Sequence, residues 1–245
     1  MFSSILINRK SDKIYFLTYG NENYKMSRQR IKSEADSLNI FDKTLIETDV
    51  NILNDSDFKK ALKDEYFKKT FEAERGGGYW IWKPYIINKH LSNMNDGDIL
   101  VYADAGCTIS NKSKGNFNKI FSELKNGKYY MVLNDNKLPE KIWTKGDVLS
   151  HHSVYDNDKI LNSGQYEGGR IILIKNNITE KIINKWWETA KNNPNLFDDS
   201  KSIKSNKADF KENRHDQSNI SILCKKTEKC IGSDLSFIAP TRRKD

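Results

Sequence analysis

Ile99-Leu100-Val101-Tyr102-Ala103-Asp104 is the stretch that decides the fold of this 245-residue chain. Five apolar or aromatic residues follow a turn at 95–98, and the run ends on a carboxylate. A continuous apolar run of this length, bounded by turn residues, predicts a strand buried on both faces. In open α/β sheets, ligands bind outside the carboxyl ends of such strands. The sequence therefore predicts that Asp104 lies at a ligand-binding edge.

The segments before this strand alternate between the strand-like and the helix-like spacing of apolar residues. Residues 14–19 and 45–49 are typical of strands, whereas 27–38 and 57–71 carry apolar side chains at helical spacing. Later strands are predicted at 129–133 and 170–175, and helices at 84–91, 179–190 and 216–224. This order predicts an α/β fold with a mainly parallel central sheet flanked by helices. We expect one domain over 1–245, with a flexible tail over 235–245.

Charge and composition favour some classes of protein over others. The net charge is +8, but only eight of the 41 basic residues are arginines and the lysines are scattered, which favours a solvated surface over specific nucleic-acid binding. Aromatic residues make up 11% of the chain, so a packed core is expected. The long polar loop over 191–213 is a candidate acceptor-binding or lid segment.

The cysteines and the chain termini bear on location. Cys107, Cys224 and Cys230 show neither metal-ligand spacing nor a paired framework, so a zinc site and a disulfide scaffold are not expected. No apolar run approaches membrane-spanning length, and a cytoplasmic location, in a bacterium or a virus-infected host cell, is the simplest expectation. The basic residues at 242–244 predict weak peripheral membrane association at most.

Several motifs together carry a family resemblance. The stretches RGGGYWIWKP at 75–84, DGDILVYADAG at 96–106, EGGRIILIKN at 167–176 and RHDQS at 214–218 are similar in type and order to small viral and bacterial GT-A glycosyltransferases. The strand itself resembles the one that carries the Asp-X-Asp motif in retaining GT-A families. That resemblance implies a nucleotide-sugar site, with Gly106 standing where the second aspartate of the motif would be.

The resemblance implies a set of donor-binding residues. Asp104 and Gly106 would face the donor, Lys83 and Arg75 would oppose its diphosphate, and the strand-end pair 18–19 would hold the nucleoside. That pair is Thr18 and Tyr19. A solvated helix-start position for Lys83, a turn-capping role for Asp104 and core positions for the two neighbouring tryptophans stay open as structural alternatives.

A divalent cation, Mn²⁺ or Mg²⁺, is also implied, because two phosphates need a counter-charge and carboxylates are the ligands that hard cations prefer. Asp104 is the first candidate ligand. His215 is a second, in place of the missing aspartate, although a lone histidine is also commonly structural. The adjacent pair at 151–152 lacks ligand spacing and is not expected to form a site.

The reacting side of the site is expected from two later segments. Glu167 lies in a predicted turn before the strand at 170–175 and is similar in place to the asparagine beside the donor sugar. Asp216 and Gln217 resemble the Asp-Gln pair that contacts the reacting face, with helix N-capping as the alternative for Asp216.

These residues predict transfer of a sugar, a hexosyl or deoxyhexosyl group, from a nucleotide donor to a hydroxyl of a glycan or glycoconjugate acceptor. Uridine is the expected base, and the Asp-Gln resemblance leans towards retention. A non-catalytic nucleotide-sugar or carbohydrate binding module is the first alternative. A nucleic-acid binder driven by positive charge is the second, and it would lose affinity steeply with salt.

Overall fold

A computed structural model describes residues 12–241. Eight strands are assigned within that range: β1 Ile14–Tyr19, β2 Lys43–Glu47, β3 Ile99–Ala103, β4 Thr108–Ile109, β5 Met131–Pro139, β6 Gly164–Ile174, β7 Cys230–Ser233 and β8 Ile238–Ala239. The helices are α1 Lys25–Ser37, α2 Asp49–Asn54, α3 Ser56–Ala61, α4 Glu65–Phe71, α5 Lys83–Ser92, α6 Lys114–Lys125, α7 Gly146–His151, α8 Asp158–Leu161, α9 Asn177–Asn192 and α10 His215–Lys225.

Six of these strands form one sheet, in the order β2-β1-β3-β6-β5-β7. Five run in the same direction, and β6 is antiparallel to both of its neighbours. The fold is therefore α/β with a mostly parallel central sheet, as the alternation of segments predicts. β4 and β8 form a separate antiparallel pair.

β3 and β6 are the two innermost strands of the sheet. All five residues of β3 are buried. Alternate side chains enter two hydrophobic layers, because successive residues of a strand point to opposite faces. Leu100 and Tyr102 face the layer that contains Ile86 of α5 and Trp186 of α9. The residues on the other face meet α1 and α6 instead; they are Ile99, Val101 and Ala103. Helices thus cover both faces of the sheet.

The predicted helix over 57–71 is wrong in its continuity. α3 ends at Ala61, and α4 begins anew because the Asp64 side chain accepts a hydrogen bond from Phe67 N at 2.8 Å. Asp64 is therefore an N-cap that interrupts the helical pattern. The pattern itself holds in both pieces, since Phe58 and Phe67 are fully buried.

The expectation that no cysteines pair is also wrong. Cys224, at the end of α10, is joined by a disulfide to Cys230, the first residue of β7. A tight connection between the helix and the strand brings their Cα atoms to 5.2 Å, within the range that a disulfide spans. Cys107 is buried and free.

The C-terminal residues that the structure describes lie against the sheet. Leu235 and Ile238 are fully buried, and both of their carbonyls accept hydrogen bonds from Arg170 of β6. Residues 242–245, which include most of the basic end, lie outside the described residues. Between 12 and 241, no helix is both long enough and apolar enough to cross a bilayer.

Candidate functional site

The carboxyl end of β3 delivers Asp104 to the sheet edge. Its backbone N–H donates to Gly169 O at 3.0 Å, so the chain position is fixed by the neighbouring strand. The Tyr102 hydroxyl donates to Asp104 Oδ1 at 2.6 Å. The Asp104 side chain nevertheless stays 37% exposed. One of its oxygens is thus held by Tyr102, and the side chain as a whole remains partly open to solvent.

Lys83, the first residue of α5, points its ammonium at this carboxylate. Pro84 follows it in the first turn, where a missing N–H and a fixed φ suit a helix start. Lys83 Nζ lies 3.2 Å from Asp104 Oδ1 and 2.9 Å from Asp216 Oδ2, and the side chain is only 3% exposed. The alternative of a solvated helix-start lysine is therefore excluded.

The charge state of Lys83 follows from this geometry. Burial alone lowers the pKa of a lysine, but the two carboxylates outweigh it and hold the pKa of Lys83 above its usual value. The ammonium also lies 5.5 Å from the centroid of the Tyr102 ring and 5.8 Å from that of Trp82. Lys83 is thus a permanently charged group in a nearly dry setting.

Asp216 completes this lysine–carboxylate cluster, which consists of Lys83, Asp104 and Asp216. It is the second residue of α10, whose N-cap position is Arg214, so the capping alternative does not hold. Burial raises the pKa of Asp216 to about 6, with Asp104 adding to the rise and Lys83 opposing it. At neutral pH the carboxyl is mainly ionised and faces the ammonium.

Two glycines bring the backbone of β6 against both carboxylates. A Cβ on Gly168 would lie 2.5 Å from Asp216 Oδ2, and one on Gly169 would lie 2.6 Å from Asp104 Oδ2. Both distances are shorter than real Cβ contacts, so any side chain here would displace the carboxylates. The predicted turn at 166–169 is wrong, because these residues belong to β6, which pairs with β5 through Tyr166 and Asp135.

Glu167 lies beside these glycines but turns its carboxylate to Arg170. Glu167 Oε2 accepts from Arg170 Nε at 3.0 Å and also from Nη2. Arg170 is itself buried between β6 and the C-terminal segment. Glu167 is therefore ion-paired, and it does not touch the lysine–carboxylate cluster through any hydrogen bond among the described residues.

A buried polar network orients Gln217, and sequence reasoning missed it. Gln217 Nε2 donates to Gln165 Oε1 at 2.6 Å, while Gln217 Oε1 accepts from Gly168 N at 3.4 Å. Gln165 in turn donates to Glu140, whose other oxygen accepts from Lys225 at 2.5 Å. Glutamate and glutamine are ordinarily surface residues, so nothing in the sequence pattern marks this network as buried.

His215 lies next to Asp216 in the chain but contacts a different group. Its Nε2 lies 3.0 Å from Asp199 Oδ1, and its ring lies 5.2 and 5.3 Å from the ring centroids of Tyr79 and Trp80. Burial is the main cause that lowers the pKa of His215 below 6.5. The imidazole is therefore mainly neutral at pH 7.

Arg75 binds the other oxygen of that carboxylate. Arg75 Nη1 donates to Asp199 Oδ2 at 2.8 Å, and its Nη2 donates to Glu212 at 3.2 Å. Arg75 thus ties the segment before α5 to the loop before α10. It stays 45% exposed.

Thr18 and Tyr19, which the sequence predicts to hold the nucleoside, are more buried than an exposed stacking surface would be. Thr18 is fully buried, and its hydroxyl donates to Ala103 O at 2.8 Å. Tyr19 is 9% exposed and stacks on Trp82 with a centroid distance of 3.7 Å. The carbonyl of Gly106 accepts from Thr241 at 3.0 Å. Each of these groups is therefore engaged by another part of the protein, and only Thr18 contacts the residue directly before Asp104.

The described residues do not fit a divalent cation held by the protein alone. Among residues 12–241, no three His, Cys, Asp or Glu side chains converge as a ligand set. Asp104 directs an oxygen to the Lys83 ammonium, and His215 directs Nε2 to Asp199. A positive side chain therefore stands between the two carboxylates of the site.

No family model matches the sequence, and no curated protein matches it. Among solved structures, the chain is similar to a glycosyltransferase involved in the glycosylation of the major capsid of PBCV-1, at 10% identity and a TM-score of 0.42, over 74% of this chain and 68% of that one.

Two further structures are similar. Mouse xyloside xylosyltransferase 1, in an apo form, has 10% identity and a TM-score of 0.48, over 91% of this chain and 86% of that one. The galactosyltransferase LgtC, in complex with donor and acceptor sugar analogs, has 9% identity and a TM-score of 0.44, over 85% and 70%. All three are glycosyltransferases.

Proposed function

We propose that this protein is a glycosyltransferase that moves a sugar from a nucleoside diphosphate donor, with uridine favoured, to a hydroxyl of a glycan acceptor. The observation that supports this is the lysine–carboxylate cluster at the carboxyl ends of the central strands. A buried, charged lysine held between two carboxylates, with a glycine backbone against both, is built for a polar ligand rather than for the core.

The charge of the cluster indicates which part of the donor it meets. With both carboxylates ionised, it carries one negative charge in excess of the Lys83 ammonium. Glycosyl transfer passes through an oxocarbenium-like transition state, in which the sugar ring becomes positive. The cluster would stabilise that ring better than it would a diphosphate. We therefore place the glycosyl group of the donor at Asp104 and Asp216.

The nucleoside would lie beside the end of β1. Asn21 follows that strand, and its Oδ1 is buried without a hydrogen-bond partner among the described residues. Its amide nitrogen lies 3.9 Å from where a Cβ on Gly77 would be, so the backbone there is open to a ligand. A buried acceptor of this kind calls for a donor, and the N–H of a uracil ring supplies one.

The proton of the acceptor hydroxyl needs a recipient. In transfer, the bond from the anomeric carbon to the donor phosphate breaks and its electron pair stays with the phosphate, while the acceptor oxygen bonds to the carbon. Asp216 is ion-paired with Lys83, and Glu167 with Arg170. Since each of these carboxylates is ion-paired with a basic side chain, the leaving phosphate is the base that is most available to accept the proton. Because this phosphate lies on the face of the sugar ring that it leaves, an acceptor hydroxyl that passes its proton to it would attack from the same face, which supports retention of configuration.

Thermal unfolding with UDP, with and without Mn²⁺ or a chelator, tests the proposal. A ligand at 100 times its Kd stabilises the folded state by about 2.7 kcal/mol, which raises the Tm of a chain of this size by several degrees. We expect a shift in the chelated sample, because no three metal-ligating side chains converge among residues 12–241. A panel of nucleotide sugars would then identify turnover. Donor binding without hydrolysis or transfer would instead indicate a binding module.

A further inference from the structure

We propose that a side pocket next to the lysine–carboxylate cluster binds the acceptor as a single neutral sugar ring. This inference rests on the proposed function and adds the place and chemical class of the second substrate. The pocket has a volume of about 260 Å³. Its lining includes three charged side chains, Lys69, Asp198 and Asp199, together with Tyr66, Thr70, Ala73, Tyr79 and Ser200. Its volume is below the range of about 300–1,000 Å³ that is typical of ligand sites, so it suits one ring and not an oligosaccharide.

The pocket adjoins the reacting side of the site through one imidazole. Asp199, in its wall, lies 3.0 Å from His215 Nε2, and His215 directly precedes Asp216 in α10. Tyr79, in the same wall, packs on the His215 ring. The His215 side chain therefore links the wall of the pocket to the helix that carries Asp216.

A left-handed turn builds this wall at a conformational cost. Gly76–Tyr79 and Trp80 all have positive φ, from 50° to 94°. A Cβ on Gly76 would lie 2.4 Å from the Trp80 ring, and one on Gly78 would lie 2.4 Å from Phe71 O. Tyr79 and Trp80 have no such freedom, and left-handed backbone costs each about 1–2 kcal/mol. His215, which they contact, also has a positive φ of 53°.

Backbone strain of this kind persists where the surrounding structure enforces it, and strained residues are frequent at ligand sites. Here its effect is to place two aromatic rings against His215 and one of them in the pocket wall. A core contact alone would not require three strained side chains in mutual contact. We connect the strain to the pocket, since the turn shapes its wall.

The chemistry of the lining favours hydroxyl groups over charge. Asp199 is paired with Arg75, and the neighbouring Asp198 is paired with Lys145, so each carboxylate already has a cation. The Tyr66 and Ser200 hydroxyls donate to Asp198, so these two oxygens and the Asp199 carboxylate offer lone pairs to the hydroxyls of a sugar. An anionic ligand would meet Lys69 but also the Asp199 carboxylate, which is 38% exposed.

A larger depression lacks these properties. It measures about 780 Å³ and is lined by Tyr155, Asp156 and Lys204, among others. The Tyr155 ring has Lys207 at 3.8 Å and Lys204 at 4.5 Å from its centroid, so lysines occupy the faces that a sugar would stack on. None of its lining residues contacts His215, the residue before Asp216, through a described ion pair, hydrogen bond or ring contact, whereas Asp199 and Tyr79 of the smaller pocket do.

Saturation-transfer NMR with methyl glycosides of glucose, galactose, mannose, rhamnose and xylose tests the pocket directly. Ala73→Trp fills the cavity without altering any polar group, and Ala73→Ser is the matched control that leaves it open. We expect at least one glycoside to give signals on the wild type and on Ala73→Ser, and those signals to fall at least fivefold in Ala73→Trp. Tyr66→Ala, at a side chain that is 43% exposed, gives a second variant if Ala73→Trp fails to fold by its Tm.

UDP affinity, measured on the same samples, separates the two proposals. UDP binding to the wild type without any glycoside binding would overturn the pocket and leave the donor site standing. Glycoside signals that persist in both filled and truncated variants would also overturn it. Glycoside binding in the pocket without any UDP binding would overturn the acceptor role and the proposed function together. Loss of glycoside in the variants, with UDP affinity within about twofold of wild type, would support the inference.

Discussion

Two lysines in this protein are equally buried, yet their surroundings shift their pKa values in opposite directions. Lys83 and Lys145 each have side chains 3% exposed. Burial lowers the pKa of Lys145, and its single carboxylate partner, Asp198, does not restore it. The pKa of Lys83 is raised, because two carboxylates face it.

The difference lies in the oxygen atoms around each ammonium. Lys145 Nζ donates to backbone carbonyls, including Asp198 O at 3.1 Å, and to the Ser200 hydroxyl at 3.3 Å, all within one loop. These partners close the shell and hold the loop over 195–200. Lys83 has charges as partners, and one of them, Asp104, is still open to solvent. A shell of mainly neutral oxygens with one carboxylate therefore favours a structural role for Lys145, whereas two carboxylates, one of them partly exposed, favour the functional role that we propose for Lys83.

Lys83→Met should give the largest effect on function. Removing the ammonium leaves two carboxylates in mutual repulsion beside the place of the sugar ring. We expect transfer, measured as kcat/KM, to fall by about 10²- to 10³-fold, the range found when one electrostatic partner of a reacting group is lost. Lys83→Arg should restore part of it. Unchanged kcat/KM in Lys83→Met would remove the functional half of the comparison.

Lys145→Met should act on stability instead. It leaves the Asp198 carboxylate without its cation in a buried place, so the free energy of unfolding in urea should fall by about 3 kcal/mol. UDP affinity of the remaining folded protein should stay near that of the wild type. If UDP affinity fell as far as it does in Lys83→Met, the two lysines would not differ in role.

Gly169→Ala tests the close approach of β6 to the cluster. The added methyl would meet Asp104 Oδ2 at 2.6 Å, so the carboxylate must move. Because a misplacement of about 1 Å costs roughly 10²-fold in rate, we expect kcat/KM to fall by about that factor. Gly115→Ala is the control, since a Cβ there meets nothing within 4 Å. Equal activity in both variants would contradict the proposed place of the sugar.

His152 is a third buried titratable side chain, and its hydrogen-bond partner is an amide and not a carboxylate. His152 is 3% exposed, and its Nε2 lies 3.0 Å from Asn219 Oδ1. Burial lowers the pKa of His152 to about 4. The unfolded chain therefore binds more protons than the folded one between about pH 4 and 6.5, and the free energy of unfolding falls as pH falls through that window.

This linkage predicts a loss of about 2 kcal/mol from His152 between pH 7 and pH 5. Urea titrations at both pH values measure it. His152→Gln, which does not titrate, should show a smaller difference between the two pH values than the wild type. An identical difference in the two proteins would mean that His152 is not held neutral by its surroundings.

The sequence predicts the frame of this fold well where local and tertiary forces agree. The run from Ile99 to Ala103 is apolar throughout, and β3 is buried throughout. Pro84 marks the start of α5 within one residue. A helix at Lys114–Lys125 was not predicted, although Phe117, Ile120, Phe121 and Leu124 repeat at helical spacing.

The candidate site was less predictable because its geometry depends on distant segments. That Lys83, Asp104 and Asp216 meet follows from the sheet order and not from any local pattern. The roles of the predicted residues in binding and catalysis stay predictions. The Glu140–Gln165 network was invisible for a physical reason: burial of polar side chains is decided by partners that lie far along the chain.

The antiparallel β6 has a consequence for the making of this protein. It enters the sheet between β3 and β5, so a ribosome-bound chain that has not yet reached Gly164 carries β3 with one unpaired edge and β5 with both edges unpaired. Unpaired strand edges of this kind allow incompletely synthesised chains to aggregate. Insertion of β6 pairs the free edge of β3 with one edge of β5, and it sets Gly169 against Asp104. The second edge of β5 and the contact of Gly168 with Asp216 wait for later parts of the chain, so the lysine–carboxylate cluster is completed only after α10 has been synthesised.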